Sequence, residues 1–130
     1  MFFRELIKTA DWKKEKHTPA IDVSQPVKKG DVVKVEVSIG KEVPHPNTTE
    51  HHIVFMEVYF LPRGSNSLYS LAKVDFSSHG ASVEGPNTSG IYTVPSVSVN
   101  FKTETSGTIY AVSYCNIHGL WESFCDVEVE

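Results

Sequence analysis

Period-two alternation of apolar and polar residues is the feature that most limits what this chain can fold into. In "VVKVEVSIG", Val33, Val35, Val37 and Ile39 fall on one face of an extended chain, and Lys34, Glu36 and Ser38 on the other. A helix would scatter the same residues around its circumference. "HIVFMEVYFL" (52–61) is apolar on both faces and reads as a central strand. "SLYSLAKVDF" (67–76), "YTVPSVSVNF" (92–101) and "TIYAVSYC" (108–115) read as further strands. In "SFCDVEVE", Cys125, Val127 and Val129 face one way and Asp126, Glu128 and Glu130 the other. Gly, Asn, Pro and Ser clusters interrupt these runs roughly every ten residues. Only the first dozen residues leave room for a helical turn or two. The expectation is all-β: an immunoglobulin-like antiparallel β-sandwich of about seven strands. No repeat, low-complexity tract or linker divides residues 1–130, which are expected to form one domain.

With 40% hydrophobic and 22% charged residues, the chain can close one core and cover it with a polar surface. A net charge of -4 argues against nucleic acid, because phosphate binding normally leaves a basic face. No apolar run approaches the roughly 18 residues that a membrane span requires. "MFFRELIKTADWKKEKH" carries Arg4, Glu5 and several lysines and lacks the apolar stretch of a secretory signal, so a cytoplasmic protein is expected. Two cysteines and no Cys-x-x-Cys pair exclude a disulfide framework and a tetracysteine metal centre.

Chemistry concentrates in the histidines and one cysteine. Three separate polar stretches each offer an imidazole: His17 in "EKHTP", His45 at the head of "HPNTTEHH", and His118 in "CNIHGLWE". His118 stands three residues after Cys115, so thiolate and imidazole reach one ion from a single turn. In the pair His51-His52, alternation sends neighbours to opposite faces, so at most one belongs to a given site. His79, in "SSHGAS", reads as a turn residue. Cys125 shares its strand face with valines and reads as a small buried hydrophobe.

Imidazole with thiolate suits zinc, copper or iron. A cupredoxin-like electron carrier would add an axial Met shortly after the histidine, and none stands between Gly119 and Phe124. A structural zinc-binding module closes with four ligands, fewer than are on offer here. Several imidazoles with one thiolate point to a five-coordinate redox ion with an open position.

Together, "EKHTP", "HPNTTEHHI" and "SYCNIHGLWES" resemble superoxide reductase, most closely its one-iron, neelaredoxin-type members related to the catalytic domain of desulfoferrodoxin. The resemblance implies one mononuclear iron per chain, cycling between Fe2+ and Fe3+. It implies equatorial ligands His17, His45, His51 and His118 and an axial Cys115 thiolate. The step from His45 to His51 selects His51 over His52. Glu15 corresponds to a glutamate that takes the sixth position in the oxidised form, and Lys16 to a lysine that attracts superoxide. The implied reaction is one-electron reduction of superoxide to hydrogen peroxide, with a rubredoxin-like electron donor and a homotetrameric assembly. Backbone N–H groups of Ile117 and His118 are expected to point at the sulfur, and Gly119 to take a conformation closed to other residues. Trp121 is expected either to shield the thiolate or to fill the core.

Overall fold

The computed structural model describes residues 1–130. One 3-10 turn, Phe3–Leu6, precedes seven strands. They are β1 (Ala20–Val23), β2 (Val33–Ser38), β3 (Ile53–Pro62), β4 (Tyr69–Asp75), β5 (Ser96–Phe101), β6 (Gly107–Cys115) and β7 (Gly119–Val127). Two antiparallel sheets result, one ordered β1-β2-β5 and the other β4-β3-β6-β7. No helix is long and apolar enough to cross a membrane.

The alternation sets the faces. Val33, Val35 and Val37 of β2 are buried between exposed Lys34 and Glu36. They meet Met56, Val58 and Phe60 of β3 and Ile109 and Ala111 of β6 in one continuous core. In β3 the buried set changes parity from Ile53 to Met56, because a bulge lies between Ile53 and Phe55 opposite Tyr114 and Cys115. The run therefore looks apolar on both faces although each residue has a definite side.

Three elements differ most from expectation. β1 is short, four residues, and leaves no alternation long enough to recognise. β5 starts at Ser96 and not at 92: Pro95 lacks an N–H for the ladder, though its carbonyl accepts from Ile39. β7 begins at Gly119, four residues before the alternating "SFCDVEVE", because the turn after Cys115 closes a tight hairpin in which Cys115 pairs with Gly119. Gly119 has φ +82°, the left-handed conformation that closes this hairpin. Cys125 pairs with Ile109, six residues up β6 from Cys115. At about 3.3 Å per residue, the two thiols are roughly 20 Å apart along the strand, too far for a disulfide.

The register places the starts of β3 and β7 and the end of β6 at one end of their sheet, and the Ser113–His17 and Ser123–Pro19 hydrogen bonds tie the segment before β1 to that sheet. His17, the His45–His51 loop and the Cys115–His118 turn are all attached there.

Candidate metal centre

The segment carrying His17 is tied down at its backbone. Ser113, fully buried on the inward face of β6, donates its hydroxyl to the His17 carbonyl at 3.0 Å. Ser123 of β7 donates to the Pro19 carbonyl at 2.6 Å. The His17 ring is held at its edge as well. Its Nδ1–H donates to Glu15 Oε1 at 2.6 Å, which leaves Nε2 as the bare nitrogen. The other Glu15 oxygen accepts from the His17 and Thr18 amides at 2.6 and 3.0 Å and from the Thr18 hydroxyl at 3.2 Å. Burial alone pushes the Glu15 carboxyl up, but the bonds from His17 and Thr18 outweigh it and hold the group below the usual carboxylate range.

The loop before β3 carries the next two rings. His45 Nδ1–H donates to the Pro46 carbonyl at 2.6 Å, so its Nε2 is also bare. His51 is fixed by its amide donating to the Thr48 hydroxyl at 3.1 Å and its carbonyl accepting from the Thr48 amide at 2.9 Å. Gly40 allows the close approach of this loop: a Cβ there would stand 3.2 Å from the His45 amide. Asn116 links the loop to the Cys115 turn. Its side chain accepts from the His52 amide and donates to the Glu50 carbonyl, both at 2.9 Å.

Ligand atoms of His17, His45, His51 and Cys115 all lie within 4.8 Å of one another. His118, exposed on its turn, lies beside this group: its Nδ1 is 3.1 Å from His17 Nε2 and 3.8 Å from the Cys115 sulfur. Metal bonds of about 2.0–2.3 Å separate opposite ligand atoms by about 4–4.6 Å and adjacent ones by about 3 Å. The spacing fits a single ion. His45 Nε2 and His51 Nε2 are buried with no hydrogen-bond partner, an expensive arrangement unless a ligand takes their lone pairs. The His118 amide donates to the Cys115 sulfur at 3.4 Å.

Electrostatics favour the neutral form of His45, His51 and His118. Burial pushes His45 down to about 4; its Pro46 bond opposes this, while His17, His51 and Lys16 add to it. His51 is lowered by burial first, then by His118 and Lys16. His118 is lowered by desolvation first, then by His17, Lys16 and Lys8. Neutral imidazoles with free lone pairs are what a metal requires.

The remaining candidates stand apart from the converging atoms. Glu15 lies on the far, Nδ1 edge of His17. Lys16 is half-buried and forms no ion pair. His52 turns away: its Nδ1–H donates to the Thr48 carbonyl at 2.9 Å, and its ring stacks on His79 at 3.4 Å and 6°. His79 is thus a stacking partner and not a plain turn residue. Trp121 lies against the His17 ring at 4.9 Å and 15°. Sequence reasoning missed Ser113 and Asn116. Ser113 left a signal, since a serine on the Ile109–Ala111–Cys115 face needs a buried partner; Asn116 left none.

The sequence profile of the desulfoferrodoxin family matches residues 9–124. The superoxide reductase of Pyrococcus furiosus is 53% identical over 124 residues, covering 95% of this chain and 98% of that one. The neelaredoxin of Megalodesulfovibrio gigas is 46% identical over 119 residues, 92% of each chain. The reduced superoxide reductase (neelaredoxin) of Archaeoglobus fulgidus superimposes with a TM-score of 0.89 at 55% identity, over 95% of this chain and 98% of that one. The family match over residues 9–124, the high identities, the shared fold and near-complete coverage agree: the chain belongs to the desulfoferrodoxin family, in its superoxide reductase branch of neelaredoxin type.

Proposed function

We propose that the chain reduces superoxide at one mononuclear iron held by His17, His45, His51, His118 and Cys115. Superoxide, one electron and two protons give hydrogen peroxide. The observation that carries this reading is the convergence of four ligand atoms within 4.8 Å, with the Nε2 atoms of His45 and His51 buried and without a hydrogen-bond partner. When bound, ferrous iron supplies the electron.

The chain's residues do the rest. Glu15 and the Pro46 carbonyl fix the Nδ1–H tautomers of His17 and His45, aiming both Nε2 lone pairs inward. The His118 amide, directed at the Cys115 sulfur, withdraws electron density and tunes the thiolate's donation. Lys16 brings an unpaired positive charge whose field reaches His45, His51 and His118. On a protein of net charge -4, that local charge draws a small anion to this end of the sandwich. Exposed His118 leaves the same end open to water, the source of both protons. To reach an open metal position, the Glu15 carboxylate would have to give up the bonds to His17 and Thr18; that role belongs to the oxidised form, after product release. The reading includes a rubredoxin-like electron donor, a homotetramer and a cytoplasmic location.

Metal analysis with visible spectra before and after oxidation tests the centre. Iron with a thiolate charge-transfer band on oxidation supports it. A blue copper protein would restore the cupredoxin reading, and a colourless zinc protein the structural one. Pulse radiolysis across a salt series tests the charges. Lys16→Ala should slow the second-order step by on the order of tenfold and flatten its salt dependence. An unchanged rate and slope would remove Lys16 from substrate capture. Glu15→Ala removes the Nδ1 partner of His17, so it should lower iron content as well as alter the ferric spectrum; normalised to bound iron, the first step should stay nearly intact, and a slower one would put the carboxylate in superoxide capture or protonation.

A further inference from the structure

Trp121 touches two of the ligands at once, and they come from segments 101 residues apart in sequence. Its indole lies nearly parallel to the His17 imidazole, 4.9 Å away at 15°. Its Nε1–H donates to the His118 carbonyl at 3.2 Å. The indole is itself anchored. Residue 8 bridges to Trp121 as an added strand edge, through Lys8 N–H to the Leu120 carbonyl at 3.0 Å and Glu122 N–H to the Lys8 carbonyl at 2.8 Å. That bridge brings the Lys8 ammonium to 5.6 Å from the indole centroid.

We propose that Trp121 is a positioning residue of the metal centre, setting the plane of the His17 ring and the height of the Cys115–His118 turn. This rests on the reading of the cluster as a metal site. The need for such a residue follows from what the other contacts leave free. The Glu15 bond grips His17 at one atom on the ring's edge, a soft restraint that still lets the ring roll through small angles about Cβ–Cγ. A flat surface against its face stops the roll. His118 is exposed, and its ring meets only other ligands among the aromatic and hydrogen-bonded neighbours. Its turn is steadied by the indole N–H at the carbonyl. One side chain therefore sets both members of the 3.1 Å pair, His17 Nε2 and His118 Nδ1. Nothing in local sequence pairs Trp121 with His17.

The test uses the full chain loaded with Zn2+ alone, which is read without superoxide. Release of zinc to a chelator is timed in the parent, Trp121→Leu and Trp121→Phe. Loss of an outer partner of a metal ligand typically costs about 10–100-fold in affinity. Trp121→Leu should release zinc faster by that factor. Trp121→Phe, which restores a ring face without the N–H, should recover much of the loss. Imidazole 15N signals of His17 should be sharp in the parent and broadened in the leucine variant. Metal-free melting and circular dichroism should match the parent, which separates positioning from folding. Zinc release at the parent's rate from folded Trp121→Leu would overturn the proposal. If the leucine variant does not fold, Trp121→Met, which also lacks the ring face and the N–H, takes its place, and zinc release from it at the parent's rate with unchanged His17 and His118 signals would overturn the proposal. A parent unable to hold zinc would overturn the metal centre itself, and this inference with it.

Discussion

Cys115→Ser is expected to abolish the thiolate charge-transfer band and reduce superoxide reduction by more than the 10–100-fold typical of a lost outer partner. Cys115 ends β6 fully buried, on the inward face of Ile109, Ala111 and Ser113. Its sulfur is 3.8 Å from His118 Nδ1 and accepts the His118 amide. Serine occupies the same space, so the fold should persist and circular dichroism should be unchanged. The donor changes kind: a soft sulfur ligand gives way to a hard hydroxyl that stays protonated. Iron stoichiometry should fall together with the band. The measurement is metal content, oxidised visible spectrum and activity on one preparation. Retention of both band and activity would remove Cys115 from the ligand set.

His51→Ala and His52→Ala should differ sharply although the residues are adjacent. His51 Nε2 is buried, unpartnered and part of the converging group, so its removal should take iron content well below that of the parent. His52 is occupied elsewhere, by the Thr48 carbonyl and the His79 ring. Its loss should keep iron stoichiometry and cost only about 1 kcal/mol of stability through the lost stack. Iron analysis of the two purified variants decides it. The reverse pattern would mean that the loop enters β3 one residue out of register.

Alternation explains why such adjacent residues part company. β3 begins at Ile53, whose side chain is buried, and His51 shares its parity while His52 does not. The same rule made the valines of β2 legible as core and Cys115 legible as the continuation of the inward face of β6. It made the parity change in β3 illegible, because a bulge opposite Cys115 depends on the partner strand's register and not on the composition of the run. Four-residue β1 was illegible because it spans too few residues for a pattern.

By itself, then, the sequence determined the fold class, the faces of the longer strands and the residue types available to a metal, since each follows from steric and solvation preferences a few residues long. Tertiary structure alone decided which sheet each strand joins and how His17 comes within reach of His118, 101 residues away. It alone set Glu15 on the outer edge of His17, Ser113 under the His17 carbonyl, Asn116 between the loops and Trp121 on the ring. Such contacts form only when the two sheets close on a common core, and burial of that core offsets the entropy of bringing distant segments together. That free energy belongs to the whole chain, so no short stretch of residues records which distant side chains will meet.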